Sequence, residues 1–182
     1  MNVTRRFVRK YSVGLYAAVW ALLALPFATL YANCTEQRLD TINGYQTLSA
    51  HEYTVNNSDG STRVLAVSVD GFGWIAVALV AIGIVLSLIG VRTLWLSAVS
   101  VVGVVALFLM VTAAGGSVAS SKGELGYWLS SIAMALAPAG DVRPWRRALL
   151  VTLATVVIAV AIVGLLILLI YLTAQRAKGV AG

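Results

Sequence analysis

From Ala148 to Thr173 the chain runs without a single Asp, Glu, Lys, Arg or His. As a helix this block is about 39 Å long at 1.5 Å per residue, more than the roughly 30 Å hydrocarbon core of a bilayer. Similar blocks recur earlier in the chain. The whole is 60% hydrophobic and 11% charged over 182 residues, with a mean hydropathy of +0.91. A soluble domain carries about 25% charged residues to solvate its surface. The expected fold class is therefore an all-α polytopic membrane protein forming a single membrane domain. The net charge of +6 does not indicate a nucleic-acid partner, because the basic residues sit at the ends of apolar blocks. There they set orientation and meet lipid headgroups.

The first block, 12–32, follows the basic start "MNVTRRFVRK". Arg5, Arg6, Arg9 and Lys10 before an apolar stretch place the N-terminus inside, and we expect the block to be retained as the first span. Residues 33–73 differ in character. They hold five of the seven acids, the one His and the one Cys, and the threading puts them outside as an extracytoplasmic loop. Within it "HEYTVN" and "TRVLAVSVD" flank "NSDG". Val64, Ala66 and Ser68 alternate with Leu65, Val67 and Val69, so a small β-hairpin turning near Asp59-Gly60 is expected.

The second span, 74–90, returns inward to Arg92, and the third, 94–113, goes out again. Trp74, Trp95 and Trp128 stand where the interfacial aromatic belt is expected. The small residues Gly83, Ser97, Ser100 and Gly103 suit close helix packing. "AAGGSVASSKGEL" reads as a short outer loop, and the last span is 148–173.

Residues 125–140 decide the topology. They reach only about 24 Å as a helix, and Pro138 ends it. An interfacial or re-entrant segment gives four spans with both termini inside. A short crossing gives five, with Arg143, Arg146 and Arg147 inside and the C-terminus outside. Three arginines in a short loop weigh heavily on orientation, whereas a small shortfall in length is met by local thinning, so five spans are favoured. "GFGWIAVALVAIG" and "ELGYWLSSIAMALAPAG" also echo each other, both setting a glycine and an aromatic residue at the start of an inward run.

The positions Pro26, Phe27, Cys34, Gly44, Tyr45 and Gly126-Tyr127-Trp128-Leu129 give the chain a resemblance. It resembles a loose class of small bacterial multi-span membrane proteins of unassigned function. In that class a Pro-aromatic pair ends the first span, a Cys follows, and "GYWL" opens the fourth. The resemblance implies a fourth crossing and no particular activity; the span after "RPWRR" departs from the pattern.

Chemistry finds little footing. Metal sites need clustered His, Cys or acids, and one His and one Cys give no ligand set; a Cys34 nucleophile has only His51 for a base. The lone Cys forms no intrachain disulfide. No block carries an ionisable residue at mid-depth, as proton relays and ion-coupled carriers do. No enzyme activity, cofactor or metal is expected. The reading is an accessory or structural subunit of a larger complex in the bacterial cytoplasmic membrane, packed against other integral membrane subunits and lipid. The alternatives are a sensor or regulator binding a ligand through the outer loop, and a homo-oligomeric pore lined by Ser and Thr.

Overall fold

The structure is a computed structural model and describes residues 9–32, 38–49, 51–56, 62–67, 70–115 and 119–180. Five α-helices dominate: α1 (Lys10–Leu22), α2 (Asp70–Leu88), α3 (Thr93–Gly115), α4 (Leu125–Leu136) and α5 (Trp145–Val180). Segments of α2, α3 and α5 are long and apolar enough to cross a membrane: Gly71–Leu88, Thr93–Ala114 and Trp145–Thr173. These point to a multi-pass membrane protein. α4 continues into a 3-10 turn, Ala137–Ala139, where Pro138 lacks the N–H that an α-helical ladder needs.

The expected helical bundle with one small hairpin carries a further sheet that was not expected. Strands β1 (Pro26–Ala32), β2 (Arg38–Asn43) and β5 (Ala119–Gly123) form an antiparallel sheet in the order β2-β1-β5. A second sheet pairs β3 (His51–Asn56) with β4 (Thr62–Val67), His51 opposite Val67 and Asn56 opposite Thr62. This pairing is the hairpin expected from the alternation; its turn, 57–61, lies outside the described residues.

The first span is the larger correction. The block 12–32 does not stay helical: α1 stops at Leu22 and the chain becomes β1 from Pro26. Pro26 disfavours helical geometry at Leu25, and as the first residue of a strand its missing N–H costs no ladder bond. The "outer loop" of 119–123 is β5, pairing Ala28–Ala32 with Gly123–Ala119. β1 is thereby hydrogen-bonded along both edges, which non-helical backbone requires if it lies near lipid. Smaller shifts follow at other ends. α2 begins at Asp70 rather than Trp74, and α5 runs from Trp145 to Val180 rather than 148–173.

Two buried clusters hold the helices and the larger sheet together. One joins Phe27, Leu30 and Ile42 of the sheet to Ala76 of α2, Leu107 and Met110 of α3, and Tyr127 of α4. The other joins Tyr16 and Val19 of α1 to Val80, Leu96 and Met134. Gly83 is required beside Tyr16, since a Cβ there would stand 2.6 Å from the ring; Gly103 likewise admits Met134.

Candidate functional site

The helices run alternately between two ends of the molecule, and one end carries Arg9, Lys10, Arg92 and the Arg143–Arg147 loop. α1 starts there, with the Arg9 N–H donating to Ser87 O of α2 at 3.1 Å. α2 stops beside it in a Gly90 turn at φ 72°, closed by Val91 N–H to Leu86 O and Gly90 N–H to Ser87 O. Only glycine adopts this left-handed helix stop freely. Arg92 and the start of α3 follow. α4 and its 3-10 turn also emerge at this end, where the Asp141 carboxylate accepts from Ser12 N–H at 2.9 Å and Tyr11 N–H at 3.3 Å. Asp141 thus caps α1 from across the fold, satisfying two orphan donors and placing an anion at the positive end of the helix. Arg143, Arg146 and Arg147 follow at once, all exposed.

The opposite end carries the sheet. α1's final carbonyls are met by β2 and the 3-10 turn after it: Gly44 N–H donates to Leu23 O at 2.7 Å, and Tyr45 Oη–H to Trp20 O at 2.5 Å. α4 begins against β1. Glu124 N–H donates to Phe27 O at 2.9 Å, and Thr29 Oγ1–H donates to Glu124 Oε1 at 2.6 Å. Ser121 Oγ–H donates to Val111 O, tying β5 to α3. Gly126 lies so close to the α1–β1 junction that a Cβ would stand 2.7 Å from Pro26 O and 3.0 Å from Leu25 O. The glycines of the two echoed stretches serve alike: Gly73 abuts Leu48 and Thr47 as Gly126 abuts Pro26. Trp74 and Trp128 are exposed, 59% and 58%, at this sheet end, and Trp95 and Trp145 at the basic end, 61% and 65%. Two exposed aromatic belts thus bracket the bundle, as two membrane–water interfaces require.

Arg9, Lys10, Arg92, Arg143, Arg146 and Arg147 therefore share one end, while Arg5 and Arg6 lie outside the described residues, as does Cys34. Among the described residues no three His, Cys, Asp or Glu gather as a metal site would need. Three residues that sequence reasoning missed do structural work: Asp141, Glu124 and Tyr16. The Tyr16 hydroxyl is fully buried, donating to Leu96 O at 3.1 Å and lying 2.9 Å from Ser100 Oγ.

The surface that stands out is α5. Only 11% of its Trp145–Thr173 segment is buried, against 50% of Thr93–Ala114 in α3. Thr155 and Ala159 are its buried points, each 1% exposed. Beside Thr155, α3 and α5 flank an apolar groove of about 650 Å³ whose lining reaches Thr93 and Leu94 at the start of α3. Beyond Ala159 support falls away, and a Cβ at Gly164 would meet nothing within 4 Å. No protein-family model, no curated protein and no solved structure matches this chain.

Proposed function

We propose that this chain is a non-catalytic accessory subunit of a larger bacterial membrane complex. It crosses the cytoplasmic membrane five times, with its basic end cytoplasmic and its sheets outside. The threading rests on the gathering of Arg9, Arg92 and the Arg143–Arg147 loop at one end, the arrangement that the positive-inside bias favours. The short α1 and α4 then cross side by side, both tied by hydrogen bonds at the sheet end and joined through Asp141 at the other.

The observation that carries the subunit reading is the bare flank of α5. From Leu149 to Leu172 its exposed large residues are Leu, Ile, Val and Tyr, and the exposure continues past the point where α3 and α4 hold it. Partner helices pack against such a flank through van der Waals contact and small residues. The exposed face offers no stripe of Ser or Thr, since Thr155 is buried with its hydroxyl donating to Val151 O. That weighs against a homo-oligomeric pore along this helix.

The test is tagged purification from native membranes, with a photo-cross-linking residue at Leu168 and, for comparison, at Ile82 of α2. A stoichiometric second protein that cross-links from Leu168 is the expected result. A monodisperse lone chain with no cross-link from Leu168 contradicts it.

A further inference from the structure

We infer that the groove between α3 and α5 is a binding site for one anionic phospholipid, an acyl chain lying between the helices and the phosphate held by Arg92 and Arg147. Its walls are Ser97, Ala98 and Val101 of α3 and Val151, Ala154 and Ile158 of α5. At about 650 Å³ it has the size of a small-molecule site. Thr155 spends its hydroxyl on Val151 O, so that part of the wall offers hydrocarbon.

The mouth supplies the charge. Arg92 immediately precedes Thr93, which lines the groove, and Arg147 lies one turn before Val151 on the stripe that continues through Ala154 and Ile158. Both arginines are exposed, and among the described residues neither guanidinium makes a hydrogen bond or ion pair. α3 and α5 both begin at this mouth, so both positive helix ends face it, and neither has an acid in its first turn. The nearby carboxylate, Asp141, is committed to the N–H groups of Tyr11 and Ser12. Positive charge at the mouth of an apolar cleft between membrane helices fits a phosphate esterified to acyl chains.

This rests on the membrane-spanning reading but not on the partner subunit, so failure to find a partner leaves it standing. The full chain, purified in a neutral detergent, is incubated with equal amounts of dioleoyl phosphatidylglycerol and dioleoyl phosphatidylcholine, and bound lipid is counted by native mass spectrometry. One phosphatidylglycerol per chain is expected, preferred roughly ten- to thirtyfold on the scale of two arginines near an anionic membrane surface. R92Q/R147Q should abolish the preference, and A154F should lower retention with both arginines in place. R146Q should change nothing, because Arg146 lies over the Trp145 ring at 6.0 Å. Equal retention of the two lipids, a preference that survives R92Q/R147Q, or unchanged retention in A154F overturns the proposal. Displacement by glycerol 3-phosphate at equal concentration also overturns it, by showing that the acyl chain contributes nothing.

Discussion

α4 and α5 depart from an ordinary membrane helix in opposite directions. α4 has 12 residues and buries Gly126, Tyr127, Ser130, Ala133, Met134 and Ala135. α5 has 36 residues, and among its described side chains the buried ones are Thr155 and Ala159. The short helix is held by specific contacts at every level: Glu124 on β1, Gly126 against Pro26, Met134 in the notch of Gly103 and Asp141 on α1. The long helix is held by little beyond its first turns. Lipid accepts any apolar side chain, so length and hydropathy describe the helix that lipid or a partner covers. They say little about a helix whose neighbours cover it.

The largest effect should come from adding one methyl group where α4 meets β1. Gly126→Ala puts a Cβ 2.7 Å from Pro26 O, a backbone atom that cannot swing aside. A cost of about 3 kcal/mol, at the upper end for overpacking, is expected as a lower unfolding midpoint in detergent and a poorer yield. Next is Tyr16→Phe, which leaves Leu96 O and Ser100 Oγ without the buried hydroxyl. About 1–2 kcal/mol should be lost, read from the same midpoint; an unchanged midpoint would mean that these two groups find other partners. Asp141→Ala removes the cap of α1 and should cost about 1 kcal/mol. The smallest effect belongs to α5: Gly164→Ala meets only open space and should be neutral, or raise stability by roughly 0.5–1 kcal/mol. A destabilising Gly164→Ala in the isolated chain would show that the upper half of α5 is covered by its own protein.

The same contrast explains what could be read from the sequence. α2, α3 and α5 were legible because uncharged runs of that length have few other fates. The hairpin β3–β4 was legible from local alternation and turn residues. The end of α1 was not. The 12–32 block is apolar throughout, and the strand from Pro26 depends on edges supplied by Arg38–Asn43 and by Ala119–Gly123. The β5 sequence "ASSKG" has no strand signal of its own, so only the assembled fold makes it a strand. Asp141 looked like one more loop residue, because its partners lie 129 and 130 positions away. The grouping of Arg9, Lys10, Arg92 and the Arg143–Arg147 loop follows chain order and charge, and these residues share one end, while Arg38, Arg63 and Lys122 lie on the strands and Arg176 and Lys178 at the far end of α5. The small residues Gly83, Ser100 and Gly103 were expected at packing contacts and are found there, against or bonded to Tyr16 and Met134.

If α4 crosses as α5 does, the loop of Arg143–Arg147 lies on the cytoplasmic side and the chain's C-terminus outside; if α4 does not cross, the two exchange sides. In a Cys34→Ser background, which removes the only native thiol, Ala181→Cys and Arg143→Cys are each probed with an impermeant maleimide in intact spheroplasts and after lysis. The five-crossing arrangement requires Ala181→Cys to label in intact spheroplasts and Arg143→Cys only after lysis. Labelling of Ala181→Cys only after lysis, or of Arg143→Cys in intact spheroplasts, would contradict it.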